Sequence, residues 1–185
     1  MLKIPEIAIG AIVASLIAGL ISLLGLIISK EQKTSEFRQA WIDALRSELS
    51  VLIAHTSAIY GAQVANFQDL VELWKDLRAD YFGMNDAIAK IRLRLNPKEP
   101  QAQAILATIE ALEAYFASGR TLNLSEFDII EKRLVGDAQV LLKKEWGRVQ
   151  AGEPTYKIAR YAALAVSIAC IVALGAVAVA KATGV

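Results

Sequence analysis

The 185-residue chain holds one cysteine, one histidine, four prolines and almost no net charge, and each scarcity excludes a class of protein. Cys170 alone cannot form a disulfide within the chain or build a thiolate zinc site, and His55 alone cannot supply a histidine metal cluster. The charge balance is 20 Lys and Arg against 19 Asp and Glu; setting aside Lys3, Lys181 and Glu6 leaves 18 of each sign in the middle. That neutrality argues against a dedicated nucleic-acid binder, and no nucleic-acid partner is expected. No glycine-rich phosphate loop, nucleophile elbow or paired-carboxylate motif is present, so neither enzymatic activity nor a cofactor is expected. Convincing strand alternation is absent too. The one tempting stretch, Ile91-Arg92-Leu93-Arg94-Leu95, has helix-forming neighbours and is assigned to a helix.

What the chain does have is apolar surface: 55% of its residues are hydrophobic and its mean hydropathy is +0.41. The excess lies in two uncharged runs, Ile7 to Ser29 and Tyr161 to Ala180. Each is roughly 20 residues, and at about 1.5 Å per helical residue it crosses a hydrocarbon layer of about 30 Å. The first run exceeds the apolar core of a signal peptide and stops at Lys30-Glu31-Gln32-Lys33 rather than at a small-residue cleavage site, so a retained span is the better reading. The second run is apolar on every face, and a domain this small has no core to enclose it. No charge lies within either run to mark a coupled-transport site.

Both runs are rich in small residues at four-residue spacing: Ala11, Ser15 and Gly19; Ala14, Ala18 and Ser22; Ala159, Ala163 and Ser167; and Ala165, Ala169 and Ala173. In lipid, such stripes let helix backbones approach closely. Two stripes per helix are more than one hairpin needs, which points to a homo-oligomer. Ser15, Ser22, Ser29 and Ser167 suit helix packing, with the lining of a narrow aqueous path as the alternative.

Between the runs, apolar residues recur at three- and four-residue steps: Phe37, Trp41, Leu45, Leu49, Leu52 and Ile59, then Phe67, Leu70, Trp74, Leu77 and Tyr81. The spacing predicts that the first span continues into a long helix bent near Gly61 and ending at Phe82-Gly83-Met84-Asn85. Asn85 then caps a short helix to Leu95, and Asn96-Pro97 breaks the chain. A third helix fits Pro100 to Ala117, and Ser125 with Asp128 starts a fourth carrying Phe127, Ile130, Leu134, Leu141, Leu142 and Trp146. Gly152-Glu153-Pro154 punctuates the entry to the last helix.

Basic residues set the expected orientation. Lys30, Lys33 and Arg38 follow the first run, Lys157 and Arg160 precede the second, and the outer ends carry only Lys3 and Lys181. The positive-inside preference puts the middle in the cytoplasm, with these five residues anchoring the lipid boundary. Arg92, Arg94 and Lys98 form a small basic cluster that an anion could contact, or an ordinary solvated helix end. Ribonucleases of the HEPN type need Arg and His a few residues apart. Arg46 and His55 are nine apart, on opposite sides of a helix that turns about 100° per residue. His55 reads instead as a partly buried helix residue.

The segment Glu36-Phe37-Arg38-Gln39-Ala40-Trp41-Ile42 with Leu45-Arg46, and Ile91 to Pro97 with Glu99 behind it, resemble patterns in uncharacterised bacterial two-transmembrane helical proteins. The architecture is similar to the small two-transmembrane effectors of bacterial anti-phage systems, although here a whole domain separates the spans. That similarity implies a sensor-controlled protein whose oligomerisation disrupts the bilayer or opens a pore.

The chain is therefore expected to be an all-α integral membrane protein of the bacterial inner membrane. The first transmembrane helix covers residues 5–29, a cytoplasmic helical domain of one long and about three shorter helices covers 30–153, and the second transmembrane helix covers 154–182. Expected partners are the lipid bilayer, further copies of the chain and a cytoplasmic regulatory protein. The competing expectation is a non-catalytic anchor or scaffold for a cytoplasmic partner.

Overall fold

The computed structural model describes residues 6–64, 70–118, 123–152 and 154–183. Five helices follow in order: α1 Glu6–Val64, α2 Leu70–Arg94, α3 Pro100–Ala117, α4 Leu124–Ala151 and α5 Pro154–Thr183, with no strand among the described residues. They divide into a terminal unit, Met1–Phe37 with Arg148–Val185, and a central unit, Arg38–Gly147.

The central unit is built on one apolar core to which four helices contribute. Leu45, Leu49, Leu52 and Ile59 come from α1, Leu77, Met84, Ile88 and Ile91 from α2, Ile105, Ile109 and Leu112 from α3, and Phe127, Leu134 and Leu141 from α4. Their three- and four-residue steps put each set on one helix face, and burying a large aliphatic side chain contributes about 1.5–3 kcal/mol. Phe37, at the head of the expected stripe, is 75% exposed, so the core begins one to two turns later. Tyr60 stacks on Phe127 at 4.7 Å, and Tyr115 and Phe116 pack around the same ring. The Tyr115 hydroxyl donates to the Asn123 carbonyl at 2.9 Å, and burial pushes its pKa above the ordinary tyrosine value.

Local chemistry explains most of the helix ends. Glu99 is extended and Pro100 occupies the first turn of α3, where its missing N–H costs nothing. Asn96 Oδ1 accepts from the Lys98 amide at 3.1 Å in the preceding turn. The α4 cap lies two residues ahead of its expected position: the Asn123 side chain accepts from the Ser125 amide at 2.9 Å and from its hydroxyl at 2.7 Å. After α4, Gly152 takes the left-handed conformation, φ +70°, and its amide donates to the Arg148 carbonyl at 3.1 Å.

The middle of the chain departs from the expected pattern. α1 ends at Val64 and α2 begins at Leu70; Phe67 lies outside the described residues. α2 then runs unbroken through Phe82-Gly83-Met84-Asn85, so Asn85 is an exposed mid-helix residue and not a cap. Gly83 has a tertiary reason to be there. A Cβ at this position would overlap the imidazole of His55, which lies against the α2 backbone.

In the terminal unit one stretch of α1 and one reaching Val172 in α5 are long and apolar enough to cross a membrane, and no residue of either apolar window is buried. A core helix of a soluble domain would be covered. These are the two candidate spans.

Candidate functional site

In the terminal unit one row of α1 is half-buried and the other described side chains of its apolar run are exposed. Along α1 the half-buried residues are Ile17, Leu20, Leu24, Ile27 and Glu31, at three- and four-residue steps. Ala11, Ser15 and Gly19 lie roughly opposite this row at about 100° per residue, and all three are exposed, as are Ala14, Ala18 and Ser22. One aliphatic row of α1 faces the protein; the small-residue stripes face outward together with Leu16, Ile21, Leu23, Leu26 and Ile28. α5 shows the reverse: Ala159, Ala163 and Cys170 are half-buried, with Ser167, Ala165 and Ala169 exposed. The side chain of Ala173 lies outside the described residues. The hydroxyls of Ser22 and Ser167 donate to the carbonyls of Ala18 and Ala163 at 2.9 and 2.8 Å. Such back-bonding satisfies a hydroxyl where water is absent.

The basic residues beside these helices have different surroundings. Lys30, Lys157 and Arg160 are exposed, and Lys33 pairs with Glu36 one turn on at 2.8 Å, which lowers the Glu36 pKa below the ordinary carboxylate value. Arg38 is committed elsewhere: its guanidinium donates to Glu145 at 2.6 Å, and the Glu145 side chain is only 7% exposed. Sequence reasoning missed Glu145, since its partner lies 107 residues away.

The basic cluster before the proline break is not brought together as one site. Arg92 forms two hydrogen bonds with Glu113 of α3, at 2.9 and 2.6 Å. Arg94 forms two with Glu48 of α1, at 2.8 and 2.6 Å. Both guanidiniums are held above their ordinary pKa by these bonds. Lys98 is exposed beyond the end of the helix. The two arginines tie α2 to its neighbours, a bidentate geometry that Lys does not reproduce.

His55, a half-buried helix residue as expected, has its Nδ1 2.8 Å from Oδ1 of Asp80 on α2. Arg46 instead bonds Asp43 at 2.9 Å. Together with Gly83, the His55 and Asp80 pair fixes the register of α2 against α1 in the central unit. Among the described residues no group of three or more His, Cys, Asp or Glu side chains is placed to hold a metal ion.

No family model, no curated protein and no solved structure matches this chain.

Proposed function

We propose that the terminal unit crosses a bacterial cytoplasmic membrane twice, with the central unit in the cytoplasm. Copies then assemble through the outward small-residue face of α1 to perturb or permeabilise that membrane, as an effector of the kind used in anti-phage defence. The observation that supports this reading most is the exposure of the α1 stripes: Ala11, Ser15, Gly19 and Ser22 are all exposed, away from the half-buried row of Ile17, Leu20, Leu24 and Ile27. In a bilayer a small-residue face gains by meeting another helix closely, whereas lipid tails solvate large aliphatic residues equally well. Lys30, Lys33, Lys157 and Arg160 supply the positive charge that keeps the central unit inside.

A second reading, a passive anchor for a cytoplasmic regulatory protein, is favoured by Ala159 and Ala163, which are already half-buried within one chain. Membrane potential after induced expression separates the two. The effector depolarises cells, and removal of residues 161–185 or replacement of Ser15 and Gly19 by Leu abolishes the effect. Depolarisation that survives the Leu pair removes the stripe as the working surface. An anchor leaves the potential unchanged and runs as a monomer or dimer in detergent.

A further inference from the structure

α2 is apolar on two opposite faces. Leu77, Met84, Ile88 and Ile91 enter the core, yet Val71, Trp74, Phe82 and Leu93 remain 63%, 58%, 63% and 89% exposed on the other side. This outer face has an internal symmetry. Counting from Phe82, Arg78 and Asp86 lie four residues away on either side, Lys75 and Ala89 seven, and Val71 and Leu93 eleven. At about 100° per residue all six fall within about 40° of the Phe82 direction. An antiparallel copy of α2 laid across Phe82 therefore meets Val71 with Leu93 and Lys75 with Ala89, and brings each Arg78 level with an Asp86 of the other chain.

We propose that two copies of the chain pair through this face, α2 against α2, about a twofold axis at Phe82. An isologous interface requires a surface complementary to itself, and here opposite charges sit equidistant from the centre while like residues meet only at Phe82. Both charges are available at the surface. Arg78 lies over the Phe82 ring at 5.6 Å, and Asp86 is 60% exposed in an i,i+4 pair with Lys90. Exposed helical pairs of this kind are weak and exchange readily. Charge complementarity favours a second copy over a bilayer, since a lipid surface gives no reason for Asp86 to mirror Arg78. The proposal uses the central unit alone and is independent of the assembly proposed for the membrane.

Paired cysteines test it in the full chain in detergent, with Cys170→Ala as background. Lys75→Cys with Ala89→Cys in one chain gives a covalent dimer on oxidation, while either cysteine alone does not. Positions 75 and 89 are about 21 Å apart along one helix, so the link forms only between chains. Arg78→Asp, or Asp86→Arg, placed in the paired-cysteine chain sets like charges together and removes the link; both reversals together restore it. Positions 75, 78, 86 and 89 are exposed, and unchanged circular dichroism confirms that the variants fold. The proposal fails if the paired cysteines link no better than the single ones, or if the double reversal does not recover what a single one loses. The outer face of α2 then belongs to a bilayer or to a different protein. A paired-cysteine chain that forms no link yet still depolarises cells sinks this interface and leaves the membrane reading standing, and one that links without depolarising does the reverse.

Discussion

The central and terminal units are both made of helices with apolar residues at three- and four-residue steps, yet they use the pattern differently. In the central unit Leu45, Leu52, Ile105 and Ile109 are fully buried, and charged residues such as Glu48 and Arg46 occupy the other faces of the same helices. In the terminal unit Leu16, Leu26, Ile171 and Val172 are 62–70% exposed and no charge separates them from their neighbours. The difference shows that a helix's second face decides its solvent. A polar second face makes an apolar stripe into a core, whereas an apolar second face demands either enclosure or lipid.

The sharpest way to break this comparison is to truncate one leucine in each unit. Leu52→Ala removes a side chain with no exposure and should lower the stability of the central unit by about 2–5 kcal/mol, read from hydrogen exchange of its amides. Leu26→Ala, at a site 70% exposed, should leave that exchange unchanged. Equal losses would mean that the terminal helices are covered in solution. A smaller effect sharpens the contrast in polar chemistry. Glu145→Gln removes the charge that partners Arg38 in a half-buried setting and should cost about 2 kcal/mol by the same measurement. Lys33→Gln, breaking a pair whose members are 68% and 48% exposed, should cost well under about 1 kcal/mol. An intermediate effect is expected for Gly83→Ala. Its methyl group displaces the His55 ring from α2, at about 1 kcal/mol, and the change should appear as loss of the imidazole signals that report the Asp80 contact in NMR spectra.

These contrasts also mark what was legible in the sequence. The limits of α3, the start of α5 at Pro154 and the helical state of Ile91 to Arg94 follow from proline, glycine and local spacing, and the structure agrees with all of them. The expected break at Gly83 does not appear: α2 runs through it, and Gly83 accommodates a ring that belongs to a residue 28 positions earlier. A glycine that ends a helix and one that admits a neighbour look alike in one dimension. The cap at Asn123 was missed because Ser125 with Asp128 offers the same local signature two residues later. For the charged residues, the basic members were visible as clusters. Their partners Glu48, Glu113 and Glu145 lie 46, 21 and 107 positions away, where no spacing rule reaches. The exposure of the α1 stripes followed the same rule: composition revealed the small faces, but only packing showed which side of the helix was left outward.

The ion pair between Arg38 and Glu145 has a topological consequence. These residues stand at the first and nearly the last positions of the central unit, and 2.6 Å separates their side chains. The chain thus enters and leaves the central unit through one doorway. A domain whose ends meet in this way can be lodged within a host segment without stretching it, and can be lifted out again if a short turn takes its place. The central unit thus has the end geometry of an exchangeable module, whose two chain ends ask for no more room than a short turn does.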